Sequence, residues 1–309
     1  MASLQTILST LQSGQFWYLF PHYYYKKLRN FQVLRTEPIE TLPFEENFDV
    51  PEMHILTGKS HIGDLLFAVK SFFLNYDGQF SLVIHGDQSV NIKSKKIIQY
   101  YLPSAKILLK EERDKFVLPK LKQSGLEKCI EFRKTNVFGE RLIDTILFSQ
   151  NSIIINMDTD CLSFSDLSIF KSFIEQDKDV SVYAIDPNPE PYCLSRQVIK
   201  EHFGISPVKH FNAGFCALPR EVLDLELIEE WLNKFENYPM QSHFAEQTLL
   251  AIFANMVENK PLPKGHYNIG RTITENEASF IHYAGHYLSS TRIAMRKIGQ
   301  SKILNRLKQ

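Results

Sequence analysis

From Met53 onward, short apolar runs alternate with longer stretches of helical periodicity, and this alternation constrains the fold most strongly. Met53-His54-Ile55-Leu56 reads as a strand ending at Thr57-Gly58, Asp64 to Leu74 as a helix, and Phe80 to Ile84 as a strand ending at His85-Gly86-Asp87. A helix near Ser94–Tyr101, a strand at Ala105–Leu109, a helix from Thr135 to Phe148 and a strand at Ile153–Met157 continue the series. Such alternation predicts an α/β fold with a mostly parallel central sheet flanked by helices.

Charge narrows the function classes. The 309 residues carry 35 Lys plus Arg against 35 Asp plus Glu, a formal balance of zero. A globally basic nucleic-acid binder needs clustered excess cations and is excluded, so nucleic acid is not an expected partner. The 44% hydrophobic content excludes a disordered chain. Cys129, Cys161, Cys193 and Cys216 form no Cys-x-x-Cys pair, which excludes a zinc knuckle and fits half-buried thiols in a reducing, cytoplasmic setting.

Both ends differ from the body. Leu4, Ile7, Leu8 and Leu11 sit at helical spacing, and no basic segment precedes an apolar core, so a signal peptide is not expected. Phe16-Trp17-Tyr18-Leu19-Phe20 and Tyr23-Tyr24-Tyr25 stand beside Lys26, Lys27 and Arg29. Aromatics next to cations suit a membrane interface, and they equally suit a helix packed on the main domain, which is the preferred reading. After Glu277 there is no acid, while Arg292, Arg296, Lys297, Lys302, Arg306 and Lys308 accumulate around Ile293, Ile298, Leu304 and Leu307. That pattern predicts a basic amphipathic helix, either solvated on the domain or drawn to phosphate or an anionic membrane.

The segment Ile153-Ile154-Ile155-Asn156-Met157-Asp158-Thr159-Asp160 carries the chemistry. An apolar strand delivers two carboxylates at its C-terminal end, where open α/β sheets bind ligands. In extended chain, positions two apart point to one side, so Asp158 and Asp160 can share a ligand. Neighbouring carboxylates repel unless a cation lies between them, which points to Mg²⁺ or Mn²⁺ bridging to phosphate. The competing structural reading has Asp160 capping the next segment.

At this point the chain resembles glycosyltransferases of the GT-A fold, and more narrowly family 8, which includes glycogenin and bacterial lipopolysaccharide galactosyltransferases. The resemblance implies that Asp160 binds metal and that Asp158 contacts both metal and the donor ribose. Phe211-Asn212-Ala213-Gly214-Phe215 resembles the family's segment beside donor sugar and acceptor. Asn212 would address sugar hydroxyls, and Gly214 would permit close backbone approach. Glu246-Gln247-Thr248 resembles Asp-Gln-Asp, with Gln247 at the reacting face and Thr248 where the family has its second acid. Phe244, Thr248, Leu249, Ile252 and Phe253 equally fit a core-facing helical stripe.

Phe280-Ile281-His282-Tyr283-Ala284-Gly285-His286 resembles the family segment whose His completes the metal site, implying His282 as ligand with His286 as substitute. Its imidazole suits Mn²⁺ better than Mg²⁺. The family's Lys-Pro-Trp is missing, and Arg292 stands in for its diphosphate-binding Lys. Phe138-Gly139-Glu140-Arg141-Leu142 resembles the helix whose Arg contacts donor sugar or phosphate. Thr57 and Gly58 take the place of the nucleobase and ribose site.

The resemblance implies three parts: a helical, aromatic extension over 1–50, a GT-A catalytic domain over 51–290, and a basic C-terminal helix over 291–309. It implies transfer from a nucleoside diphosphate sugar, most naturally a UDP-sugar, to a carbohydrate, lipid-linked or protein acceptor, with retention. Inversion would use Glu246 as base. Two rivals are a catalytically silent nucleotide-sugar binder and a haloacid-dehalogenase phosphatase, which needs a later acidic motif not found after Asp160.

Overall fold

The strand Ile153–Met157 (β4) lies at the middle of a seven-stranded sheet, and every one of its residues is buried. Continuous apolar character is what a strand covered on both faces requires. Alternation sorts its side chains: Ile153, Ile155 and Met157 enter the hydrophobic core on one face, and Ile154 enters that on the other. Burying each such side chain contributes about 1.5–3 kcal/mol. The computed structural model describes residues 16–42, 50–176, 178–234, 242–270, 278–285 and 288–309. The helix expected around Leu4–Leu11 and the substitute ligand His286 lie outside them.

Around β4 stand β1 (Glu52–Thr57), β2 (Ser81–Gly86) and β3 (Lys106–Leu108) on one side. On the other side come β7 (Phe211–Pro219), β6 (Val180–Ile185) and β8 (Glu258–Pro261). All pairings are parallel except those of β7, which runs antiparallel to both β4 and β6. A smaller sheet joins β5 (Cys161–Ser163), β9 (Tyr267–Ile269) and β10 (Phe280–His282) in the order β5-β10-β9. Its pairing sets Cys161 opposite His282, which brings the acidic segment to the C-terminal region of the chain.

The helices agree with the sequence pattern with one correction. The helix predicted from Thr135 to Phe148 starts two residues later: α5 (Glu127–Thr135), which the sequence reading did not mark, ends before Asn136, and α6 (Val137–Phe148) begins after it. The Asn136 carboxamide oxygen accepts from the backbone N–H of Phe138 (2.9 Å) and Gly139 (3.2 Å), so Asn136 caps α6 rather than continuing a helix. The preceding helices are α1 (Phe16–Val33), α2 (Ile62–Asn75), α3 (Ile92–Tyr101) and α4 (Lys110–Gln123). After α6 come α7 (Ser168–Gln176), α8 (Arg196–Phe203), α9 (Leu225–Lys234) and α10 (Phe244–Ala254).

α1 and the C-terminal segment both pack on α2. The terminal segment runs from α11 (Ser290–Ala294) through a π-turn at Met295–Gly299 into α12 (Gln300–Arg306). Asp64 of α2 is buried and accepts from Arg296 (2.8 Å) and Gln300 (2.8 Å), while Arg29 of α1 donates to the Arg296 carbonyl (2.6 Å). Arg306 donates to the Phe164 carbonyl and the Asn75 side chain. The basic tail is therefore not simply a solvated helix. Arg296 has no exposed surface, because buried Asp64 is compensated by a cation brought to it, with Gln300 and His61 beside it.

Inside the sheet, Glu52 meets His54, and His54 Nδ1 lies 2.8 Å from His85 Nε2, all three without exposure. Polar groups in buried strands persist because they satisfy one another.

Candidate functional site

At the carboxyl end of β4 the chain turns sharply. The Cys161 N–H donates to the Asp158 carbonyl (3.1 Å), and the Asp158 N–H donates to the Gly214 carbonyl (2.8 Å). The Asp158 and Asp160 carboxylates lie 3.5 and 3.4 Å from one His282 nitrogen, and the chain between them turns instead of running extended as expected. Each carboxylate divides its oxygens in the same way. Asp158 Oδ1 accepts from Arg141, and its Oδ2 lies 3.5 Å from His282 Nε2. Asp160 Oδ2 pairs with Arg292 at 2.7 Å, and its Oδ1 lies 3.4 Å from the same His282 nitrogen.

His282 is aimed by its other ring nitrogen. Nδ1 lies 2.8 Å from Asn212 Oδ1, an atom that can only accept, so Nδ1 carries the proton and Nε2 presents its lone pair toward the two carboxylates. Asp160, Cys161 and His282 bring one ligand atom each within 4.8 Å of one another, and Asp158 Oδ2 adds a second carboxylate oxygen 3.5 Å from the same imidazole nitrogen, a mix of oxygen and nitrogen donors that suits Mn²⁺ or a similar divalent cation. Cys161 is also close, but its thiol donates to the Gly214 carbonyl at 3.2 Å, and burial pushes its pKa well up. A protonated thiol makes a poor ligand, so Asp158, Asp160 and His282 are the better set. Burial alone would raise Asp160, but Arg292 and His282 outweigh it and hold the carboxyl down at about 2. For His282, burial lowers the pKa and Asp160 and Asp158 reverse it, so the net direction is upward.

The segment Asn212-Ala213-Gly214 lies where the β6–β7 register breaks: Tyr183 stands opposite Cys216, and Ala184 already opposite Asn212. This bulge re-aims the strand toward the site. A methyl group on Gly214 would sit 2.1 Å from His282 Cε1, so the close approach that requires glycine is that of the histidine ring. Asn212 is fully engaged: its amide donates to Asp186 (2.9 Å), and its oxygen serves Gly214 N–H and His282.

Arg141, on α6, is buried and takes the Glu246 carboxylate in a two-point pairing, Nε to Oε1 at 2.7 Å and Nη2 to Oε2 at 2.6 Å. Burial works against its charge, but Glu246 and Asp158 outweigh it and raise its pKa. Gln247 accepts from Ala213 N–H (3.0 Å) and donates to the Pro191 carbonyl (2.7 Å), fastening a loop to the bulge. Thr248 donates to the Phe244 carbonyl and accepts from Cys193 N–H, a structural role within α10.

These residues border one cleft with two lobes. The smaller, about 280 Å³, is lined by Thr57, Gly58, His61 and Asp87 among others, and the larger, about 840 Å³, by Asp186, Asn212, Gly214, Glu246 and Gln247 among others. Phe138, Arg141, Asp158, Asp160 and Arg292 border both. The carboxylate pair thus stands at the junction, and all the sequence-derived site residues within the described chain lie along the cleft. Sequence reasoning missed His61, Asp87 and Asp186. Asp87 and Asp186 follow the carboxyl ends of β2 and β6, so the strand-end rule would have flagged them.

No family model matches the chain, and no curated protein matches its sequence. Solved structures do resemble it. The bifunctional glycosyltransferase WbbM aligns with a TM-score of 0.52 at 11% identity, covering 87% of this chain and 53% of its own. The galactosyltransferase LgtC aligns at 0.48 with 10% identity over 84% of this chain and 96% of its own. Mouse xyloside xylosyltransferase 1 aligns at 0.46 with 10% identity, covering 79% of this chain and 98% of its own. Likeness at such identity is one of architecture, and the mostly parallel sheet with antiparallel β7 is the GT-A glycosyltransferase fold.

Proposed function

We propose that the chain is a metal-dependent glycosyltransferase that moves a sugar from a nucleoside diphosphate sugar, by resemblance a UDP-sugar, to an acceptor hydroxyl with retention. The observation that carries this reading is the convergence of Asp158, Asp160 and His282 at the junction of two lobes. A nucleotide fits the smaller lobe beside Thr57 and Gly58, and the donor sugar and acceptor fit the larger. Bound there, Mn²⁺ or Mg²⁺ would neutralise charge on the diphosphate leaving group.

The chain's own residues do the rest. Arg141 and Arg292 present guanidinium groups where a diphosphate would cross between lobes. Glu246 orients Arg141, Asn212 sets the tautomer of His282, and Gln247 holds the bulge against the Pro191 loop. Asp158, Asp160, Asp186 and Glu246 line the larger lobe and each already has a partner. Retention rests on the resemblance to family 8, and Glu246, the candidate base for inversion, is held in a two-point pairing with Arg141. The acceptor is a carbohydrate, a lipid-linked sugar or a protein. Exposed Phe20, Tyr24 and Phe31 beside Lys27 and Arg35 support peripheral contact with the inner face of a membrane. Among the described residues no helix is long and apolar enough to cross one.

The test is a panel of nucleotide sugars incubated with the full chain, with and without Mn²⁺. Free sugar should appear with at least one donor and vanish with chelator, and Asp160→Ala should lose metal-dependent nucleotide binding. Nucleotide binding without sugar release from any donor would make the chain a binding protein. Unchanged nucleotide affinity in Asp160→Ala would overturn the metal site.

A further inference from the structure

A second pocket, about 410 Å³, opens at the β6–β8 edge of the sheet and shares no lining residue with either lobe of the cleft. Its charge is one-sided in a chain that is neutral as a whole. Arg196, Lys209 and Lys264 line it with His210, and no carboxylate does. Lys209 and Lys264 are exposed, and neither is ion-paired among the described residues. Arg196 is fixed by donating its Nε–H to the Pro207 carbonyl at 2.9 Å, leaving the outer guanidinium nitrogens for a ligand. Glu190 is the nearby acid, and it accepts from the backbone N–H of Arg196 at 3.3 Å.

The remaining polar groups suit hydroxyls rather than a bare anion. His210 Nδ1 lies 2.8 Å from the Asp186 carbonyl, an acceptor, so Nδ1 holds the proton and Nε2 is left as a hydrogen-bond acceptor. Asn255 adds a carboxamide that both donates and accepts, and Asn259, whose oxygen accepts from the Tyr183 hydroxyl at 3.4 Å, adds an amide donor, the pairing that a sugar's hydroxyls require. His210 is also the single non-glycine residue with positive φ (58°) among the described residues, and the Asp186 N–H bond to its carbonyl (2.6 Å) helps hold that conformation.

We propose that this pocket is a second carbohydrate site that binds a sugar bearing an anionic group, phosphate or carboxylate. Arg196, Lys209 and Lys264 meet the anion, while His210, Asn255 and Asn259 meet the hydroxyls. The inference is independent of the cleft's chemistry.

Isothermal titration calorimetry on the full chain in EDTA tests it, with glucose 1-phosphate and glucuronate as probes and glucose and inorganic phosphate as controls. At least one anionic sugar should bind saturably to one site, and both controls at least about tenfold more weakly. Lys209→Glu/Lys264→Glu, two exposed positions, should weaken that binding by about tenfold or more, since like charge opposes the ligand. Asp160→Ala should leave it unchanged. The tighter of the two probes identifies the anionic group. The proposal is overturned if neither anionic sugar binds, or if the double variant binds as well as the parent. Loss of binding in Asp160→Ala, or inorganic phosphate binding as tightly as the sugars, also overturns it.

Discussion

Asn212 shows how one residue of the site aims another. Its oxygen holds both the Gly214 N–H and His282 Nδ1, and its amide holds Asp186, so its hydrogen-bonding capacity goes into aiming the imidazole. Gly214 belongs to the same arrangement. Gly214→Ala places a methyl group on the His282 ring, and overpacking of this kind costs typically 1–3 kcal/mol. Thermal melts with and without Mn²⁺ should show a lower midpoint and a loss of the metal-induced rise. An unchanged rise would mean that His282 does not help to hold the metal. Motif resemblance picked out Asn212, Gly214 and His282, but not that they contact one another. The partners lie 70 positions apart, and only the bulge and the β5–β10 pairing bring them together.

Among the elements, α6 is the one whose position most directly determines the site, because it carries Arg141 to both Glu246 and Asp158. Its start depends on Asn136, whose oxygen caps two N–H groups and whose amide donates to the Ser242 carbonyl at 2.9 Å. Replacing an asparagine cap by alanine costs about 1 kcal/mol, within a range of 0.5–2. Asn136→Ala should therefore lower stability by about that amount in urea unfolding and raise KM for the donor more than it lowers kcat. Equal changes in the two would mean that the cap does not position Arg141. The helical period alone began this helix at Thr135, two residues early and on the wrong side of Asn136. Asn is tolerated inside a helix as well as at its start, and its capping bonds, which decide between the two, appear only in three dimensions.

For the whole molecule, the decisive contact is the clasp of α1 and the C-terminal segment on α2. Burial first, then Arg296 and Lys26, lower His22 from its ordinary 6.5 to about 3, with Asp64 opposing and His61 assisting. Below pH 6.5 the unfolded chain takes up a proton that folded His22 refuses, so stability falls progressively down to about pH 3. Asp64 acts in the same direction. Arg296 and His61 outweigh its burial and hold it well below 3.8, so its contribution is present above 3.8 and is lost as pH falls through its folded value. The melting temperature should drop between pH 7 and pH 5, and His22→Gln should make that slope shallower. An equal slope in the variant would assign the acid sensitivity to other groups. By itself the sequence determined the α/β class and the boundaries of β4 to the residue, because apolar period is a local property, and the strand-end carboxylates together with motif resemblance picked out part of the cleft lining. The tertiary structure alone decided which charges meet: Glu246 with Arg141, Arg292 with Asp160, and the tail's Arg296 with Asp64. Pairing a buried charge is a requirement on space, and residues 232 positions apart satisfy it as readily as neighbours do.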